Sequence, residues 1–81
     1  EEYTVEQKIH EILHVLLDRS KLLFNEVFTK AKSKAEVIVS FMAILELIRL
    51  MEIAILQRDV FGEIEVMRNK ENLIPVDDGR A

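Results

Sequence analysis

The stretch Ser33 to Leu56, SKAEVIVSFMAILELIRLMEIAIL, decides how this chain is interpreted. Its first four residues spell a capping box, in which the Ser33 hydroxyl and the Glu36 carboxylate each accept a backbone N–H at a helix start. An amphipathic surface helix has one apolar stripe and one polar face, but this segment is apolar around most of its circumference. The sequence therefore predicts a helix from Ser33 to about Met51, with more apolar surface than one core needs.

The apolar side chains of this helix divide into two stripes on a helical wheel of about 100° per residue. The stripe predicted to face the core consists of Val37, Phe41, Ile44, Leu45 and Ile48. The opposite stripe consists of Val39, Met42, Ala43 and Leu50. A contiguous exposed apolar patch usually marks an interaction site, so this second stripe is predicted to bind another protein. The alternative is that the first two helices wrap far enough to bury part of it.

Two further helices are predicted before this one. The residues TVEQ, from Thr4 to Gln7, form another capping box and open a helix that runs to about Asp18. Its core stripe is Val5, Ile9, Ile12, Leu13 and Leu16. A short extended piece over 21–23 then leads into the stretch FNEVFTKA, which predicts a second, shorter helix.

After Met51 the apolar period changes from helix to strand. Residues 53–58 and 63–68 predict two strands joined by DVFG, where Gly62 can supply the positive φ that a hairpin turn often needs. The order helix, short strand, helix, helix, strand, wing, strand is that of a winged helix, a mainly α fold with a small antiparallel β hairpin (α+β). The alternative architecture is a plain helical hairpin that dimerises through the long helix.

Length and composition predict one small domain. The chain has 81 residues, of which 49% are hydrophobic and 32% charged, with two Gly and one Pro. The predicted domain covers residues 4–68, after residues 1–3 of a linker and before a polar tail over 69–81. The tail's apolar residues, Leu73, Ile74 and Val76, leave an added strand open as an interpretation. The first residue is not Met, which suggests a piece of a longer protein, and the lack of cysteine fits a reducing compartment.

The residues HEILH, from His10 to His14, spell the H-E-x-x-H pattern of zinc proteases. A catalytic zinc needs three protein ligands and an open position, but the sequence has no third His and lacks the G-x-x-H extension, which leaves a distant Glu as the alternative third ligand. The wheel places both histidines well away from the core stripe, so they are expected to face solvent. With two glycines there is also no phosphate-binding loop. The sequence therefore predicts no catalytic residues, no metal site and no cofactor.

A winged helix often binds DNA, and its third helix then presents basic or amide side chains to the bases. Here the charged residues between Ala35 and Met51 are Glu36, Glu46 and Arg49, and the formal net charge of the chain is −4. Such a surface releases few counterions from DNA. The cluster Lys30, Lys32 and Lys34 is interpreted as a solvated turn, with a weak, sequence-blind phosphate contact as the alternative.

Four stretches together resemble one family. TVEQKIHEILHVL, LFNEVF, SKAEVIVSFMAILELIRL and QRDVFGEIEV are similar to the C-terminal winged-helix domain of bacterial kleisins, the segregation and condensation protein A family. The most specific parts are F-x-A-x-L-E-L, from Phe41 to Leu47, and the Phe61-Gly62 wing. Two features depart from the resemblance. Leu23 stands where a small capping residue is expected, and the tail extends beyond the resemblance.

The resemblance implies a protein-interaction module rather than an enzyme. It implies binding to the ATPase head of a structural-maintenance-of-chromosomes protein, and recruitment of a second winged-helix subunit through a linker absent from this sequence. The implied location is the cytoplasm, at the nucleoid. A winged-helix DNA-binding transcription regulator is the alternative. The residues predicted to bind the partner, on the second stripe and the following strand, are Val39, Met42, Ala43, Leu50, Ile53 and Ile55.

Overall fold

The structure, a computed structural model, describes residues 2–70. The elements in chain order are α1 (Val5–Asp18), β1 (Leu22–Leu23), α2 (Phe24–Thr29), α3 (Lys34–Arg49), β2 (Ile53–Gln57) and β3 (Ile64–Arg68). β3 lies in the middle of a three-stranded sheet and pairs antiparallel with β1 and β2. This α+β arrangement is consistent with the predicted winged helix. The interpretation of Leu73, Ile74 and Val76 as an added strand concerns residues outside the described range.

Both predicted helix starts are confirmed, but one capping box is incomplete. At α1 the Thr4 hydroxyl accepts from the Gln7 N–H at 3.0 Å, and the Gln7 side chain accepts from the Thr4 N–H at 3.2 Å. At α3 the Ser33 hydroxyl accepts from the Glu36 N–H at 3.2 Å. The reciprocal bond from Glu36 is absent from the bonds described, because its carboxylate accepts from the Lys32 N–H at 2.8 Å and pairs with Lys8 of α1.

α2 begins directly after β1, without a side-chain cap. Leu23 occupies the N-cap position with an extended backbone and makes no capping hydrogen bond, as its apolar side chain dictates. The helix is instead held by packing: Phe24 and Phe28, one turn apart, form an edge-to-face pair with ring centroids 4.8 Å apart. The second helix therefore forms although Leu23 replaces the small capping residue that the resemblance leads one to expect.

The positive φ predicted at Gly62 lies instead at Met51. Gly62 is outside the left-handed region and serves close approach, since a Cβ there would meet the Asp59 Cβ at 3.2 Å. Met51 has φ 63°, and the N–H groups of Met51 and Glu52 donate to carbonyls of the last turn of α3, both at 2.9 Å. These bonds form a Schellman motif, which ends α3 two residues earlier than the sequence predicted.

The core lies between α1, α3 and the inner face of the sheet. Its buried apolar residues are Ile12, Leu16, Leu22, Ala43, Ile44, Leu47, Ile53 and Val66. The stripe predicted for α1 is confirmed, since its remaining members pack against this cluster. The stripe predicted for α3 is wrong except at Ile44. The side of α3 that faces the core is built from small and medium side chains, not from its largest ones.

Candidate protein-interaction surface

Six large apolar side chains of α3 point away from the core. Each leaves between 36% and 54% of its surface exposed, although large apolar side chains of this kind are usually buried. We call this set the outer face of α3, and it consists of Val37, Ile38, Phe41, Met42, Leu45 and Ile48. On the helical wheel these residues span about 140° opposite the core-facing side. The extra apolar surface predicted from the sequence therefore exists, but of the predicted stripe only Met42 belongs to it.

The inner face explains this inversion. α3 packs against α1, and its inner face consists of Ser40, Ala43, Ile44 and Leu47, all at least 99% buried. Small side chains such as Ser40 and Ala43 allow two helix axes to approach closely, whereas a ring such as that of Phe41 in their place would hold them apart. The predicted core positions Val37, Phe41, Leu45 and Ile48 are consequently turned outward. A signal in the sequence pointed to this result: the two smallest residues of the helix interior lie three apart, on one side.

Two of the six residues predicted to bind a partner are inside the core. Ala43 is 0% and Ile53 3% exposed, so neither can touch another protein while the domain is folded. Their burial follows from the close contact between α3 and α1 and from the inner face of the sheet. Met42, Leu50 and Ile55 are exposed and Val39 is half-buried, so these four remain accessible. Binding by them stays a prediction.

One end of the outer face forms a shallow hollow. It measures about 400 Å³ and is lined by Phe28 of α2 with Val37, Ile38, Phe41 and Met42. Phe28 lies 6.3 Å from Phe41 between ring centroids, so α2 supports one edge of the hollow without covering it. The alternative in which the fold buries part of the second stripe is confirmed for Ala43, which is 0% exposed, and partly for Val39, while Met42 and Leu50 stay exposed. The hollow can accept a bulky apolar side chain from a partner.

On this side of α3, charge lies at the two ends of the helix, at Lys34 and Arg49. Glu36 is buried on the opposite side, where hydrogen bonds from the Lys8 ammonium and the Lys32 N–H hold the pKa of its carboxyl below the ordinary value. At the C-terminal end of α3, Glu46 and Arg49 form an ion pair at 2.7 Å, and this hydrogen bond lowers the pKa of Glu46. The six side chains of the outer face carry no charge themselves. Lys34 and Arg49 lie in the same arc of the wheel at its two ends, and Arg49 is paired with Glu46, so the face favours an apolar partner over a phosphate backbone.

Beside α3 the sheet offers an open edge. Among the described residues β2 pairs with β3 alone, so the opposite edge of β2 has no strand partner. The hairpin that follows carries Val60 and Phe61 at its tip, and Phe61 is 98% exposed. An edge of this kind can accept a strand from another protein. The surface therefore combines an apolar helix face with unpaired main-chain groups.

The histidine pair is exposed, as predicted. His10 and His14 both lie on the solvent side of α1. Across residues 2–70 no group of three His, Cys, Asp or Glu side chains is placed to hold a metal ion. The same range contains no helix long and apolar enough to span a bilayer. The prediction that the chain has no catalytic role stays a prediction.

Comparison with known proteins gives a consistent result. The sequence profile of the family described as Segregation and condensation protein ScpA matches residues 1–68. A relative from Caldanaerobacter subterraneus, named Segregation and condensation protein A, is 48% identical over 64 residues, which are 79% of this chain and 26% of the relative.

More distant relatives carry the same name. The protein from Clostridium acetobutylicum is 35% identical over 66 residues, 82% of this chain and 26% of its own length. The protein from Streptococcus pneumoniae is 35% identical over 71 residues, 88% of this chain and 29% of its own length. The chain thus spans about a quarter of the length of the curated relatives it matches.

Proposed function

The chain belongs to the segregation and condensation protein A family, and we propose that it is the winged-helix module with which such a protein binds the ATPase head of a structural-maintenance-of-chromosomes protein. In this role it helps to close a condensin-like complex that acts in chromosome condensation and segregation. The module contributes contacts rather than catalysis, and any ATP is bound by the partner. A second winged-helix subunit joins through a linker outside this sequence, and the complex works in the cytoplasm at the nucleoid.

The observation that carries this proposal is the outer face of α3. A small domain that turns Ile38, Phe41, Met42 and Leu45 towards water while burying Ser40 and Ala43 loses stabilisation that the reverse arrangement could supply. Burial of apolar surface contributes roughly 25 cal/mol per Å², so a partner that covers this face gains substantial affinity. The face is apolar between its two ends, where Lys34 lies and where Arg49 is paired with Glu46, so it offers little to DNA and supports a protein partner over the DNA-binding regulator.

The open edge of β2 supports the same partner surface. Ile55, halfway along this strand, is exposed. β2 is the element that directly follows α3 in the sequence. A strand of the ATPase head added to this edge would contribute main-chain hydrogen bonds, while side chains of the outer face select the partner. The combination explains how a domain of this size can hold a large ATPase.

The test uses a purified ATPase head and measures its affinity for this chain by calorimetry. Met42→Lys and Phe41→Lys should each weaken binding about 100-fold or more, because an unpaired ammonium buried at an interface costs several kcal/mol. Leu17→Lys is the matched control, since Leu17 is an exposed apolar residue of α1 away from this surface. Its affinity should stay near that of the parent chain, and all three variants should keep their melting temperature.

Two outcomes would contradict the proposal. If Met42→Lys and Phe41→Lys bind the head normally while Leu17→Lys does not, the partner surface lies on α1. If the parent chain binds no head but binds duplex DNA with a steep salt dependence, the regulator is the better assignment.

A further inference from the structure

The open edge of β2 lacks the features that usually keep a strand edge from pairing with a copy of itself. Its five residues, IAILQ, contain no charged side chain and no proline, and their register with β3 runs without a bulge. Natural edge strands are normally protected by one of these devices. Ile55 and Leu56 are also exposed. The edge is therefore available to a strand from another molecule.

The register shows which main-chain groups of β2 face this edge. The Glu52 carbonyl accepts from the Asn69 N–H at 3.0 Å, so it points towards β3. Along a strand that is paired on one side, main-chain groups alternate between the partner and the open side. The N–H and C=O groups of Ile53, Ile55 and Gln57 therefore point to the open edge.

A two-fold axis at Ile55 makes this edge complementary to itself. Antiparallel pairing about that axis sets Ile53 opposite Gln57 and Ile55 opposite the same residue of a second copy. All three outward-facing positions then form hydrogen-bonded pairs, which gives about six main-chain hydrogen bonds between the copies. A two-fold axis of this kind relates the subunits of most homodimers.

The charges that flank β2 agree with the same axis. Glu52 stands three residues before Ile55 and Arg58 three residues after it, so the axis sets Glu52 of each copy opposite Arg58 of the other. Both have partners within the chain, Glu52 with Arg68 at 3.9 Å and Arg58 with Glu65 at 3.3 Å, yet their side chains stay 35% and 67% exposed. Like charges directly opposite would weaken the pairing, and this axis places none there.

Exposed apolar side chains lie beyond both ends of the edge. The hairpin after β2 carries Val60 and Phe61, and the turn before it carries Leu50 and Met51, all four exposed. Antiparallel pairing brings the hairpin end of one β2 to the α3 end of the other. The same axis therefore brings the apolar hairpin tip of each copy to the apolar turn of the other.

We propose that the edge of β2 pairs with the same edge of a second copy of this chain, about a two-fold axis at Ile55. The pairing joins two three-stranded sheets into one continuous sheet and leaves the outer face of α3 free. One consequence rests on the proposed function: because the ATPase head adds a strand to this edge, self-pairing and head binding exclude each other. The free module is then a dimer with a covered edge, and the head takes a monomer from it.

Sedimentation equilibrium of the 81-residue chain tests the pairing without any head. The parent chain should convert from monomer to dimer between micromolar and millimolar concentration. Ile55→Lys and Ile55→Glu should each stay monomeric, because the axis sets two like charges opposite each other. An equimolar mixture of these two variants should dimerise again. Met42→Lys, on the outer face of α3, is the matched control and should dimerise like the parent chain.

Cross-linking measures the register, since the sequence contains no cysteine of its own. Ile55→Cys should form a disulfide between copies on oxidation, because the Cα atoms of a hydrogen-bonded pair lie about 5.5 Å apart. Leu56→Cys is the control. The axis sets Leu56 opposite Ala54, so the two Leu56 positions are offset by about 7 Å along the strands and should not cross-link.

A parent chain that stays monomeric at millimolar concentration overturns the proposal. A dimer that Met42→Lys abolishes also overturns it, because the copies then meet through the outer face of α3. A mixture of Ile55→Lys and Ile55→Glu that stays monomeric rules out the axis at Ile55. Adding the ATPase head to the dimer should give a complex of one head and one chain. Dimerisation without head binding contradicts the proposed function alone, and head binding by a chain that never dimerises contradicts this inference alone.

Discussion

The two sides of α3 differ in a way that reverses the usual relation between apolar size and burial. The inner face buries Ser40 and Ala43 with Ile44 and Leu47, while the outer face exposes Phe41 and five other large side chains. Both faces lie on one helix of 16 residues, with the same backbone and the same neighbours in sequence. The difference shows that the most apolar side of a helix is not always its core side.

What decides the orientation is the fit to α1. Close helix packing requires small residues at the point of contact, and the inner face has them. Burying the larger residues instead would separate the helices and leave the Glu36 carboxylate without its Lys8 partner. The large residues are then left for a surface outside the domain. A helix of this composition belongs to two interfaces, one within the chain and one proposed with a partner.

The largest expected effect compares two leucines two residues apart. Leu47 is 99% buried on the inner face, so Leu47→Ala should destabilise the domain by about 2–5 kcal/mol through lost burial and a residual cavity. Leu45, on the outer face, is half exposed, and Leu45→Ala should cost less than about 1 kcal/mol. Urea unfolding of both variants measures the difference. Equal losses would mean that the two faces are not distinct. Phe41 was predicted to face the core, but it is 46% exposed and lies on the outer face.

A smaller effect compares two glutamates on the two sides. The Lys8 and Lys32 hydrogen bonds lower the folded-state pKa of Glu36, so their stabilisation is complete above the ordinary value of 4.5 and is lost as the pH falls through the folded pKa. Glu36→Gln should therefore lower the melting temperature at pH 7 and flatten its decline below pH 4.5. Glu46, paired with Arg49 in solvent, should show little of either effect when changed to Gln. If the melting temperatures of the parent chain, Glu36→Gln and Glu46→Gln fall equally steeply below pH 4.5, this assignment is contradicted.

The smallest effect compares two serines of opposite role. The Ser40 hydroxyl is buried without a partner among the described residues, so Ser40→Ala should raise the free energy of unfolding by about 1 kcal/mol. Ser33 caps α3, and Ser33→Ala should lower the free energy of unfolding by about 1 kcal/mol. Thermal unfolding followed by circular dichroism measures both shifts. A loss of stability in Ser40→Ala would show that this hydroxyl has a partner in solution.

The sequence carried the order of the elements because each boundary has a local cause. Thr4 and Ser33 mark the helix starts because their hydroxyls accept hydrogen bonds from backbone N–H groups three residues on, which needs no tertiary contact. The change of period after Met51 likewise shows where the strands begin. These features depend on residues within a few positions of one another. For that reason the helix bounds and strand positions agree with prediction to within one or two residues.

The orientation of α3 could not be predicted in the same way, since it depends on α1, 28 positions away for the Lys8–Glu36 pair. Apolar periodicity gave two stripes, and the inner face is neither of them: it takes Ile44 from one and Ala43 from the other, with Ser40 and Leu47 from neither. The wheel chose the larger residues and so placed Ala43 outside and Phe41 inside, both wrongly. Ile53 was misplaced for a related reason, because an apolar strand does not reveal which of its sides meets the helices. The positions of the small residues Ser40 and Ala43 carried part of the missing information; Leu47 and Leu45, equal in size, lie on opposite faces.

The turn at Met51 has a consequence for how this family can diversify. Its left-handed backbone sets the direction in which β2 leaves α3, and Asn69 fixes that turn by donating from its side chain to the Met51 carbonyl at 3.0 Å. We expect a substitution at either position to change the angle between α3 and β2 while leaving the apolar residues of the outer face in place. If the proposed partner contacts both the outer face and the edge of β2, two homologues with identical apolar side chains would then differ in how they fit it. The turn would act as a hinge that sets specificity from outside the binding residues.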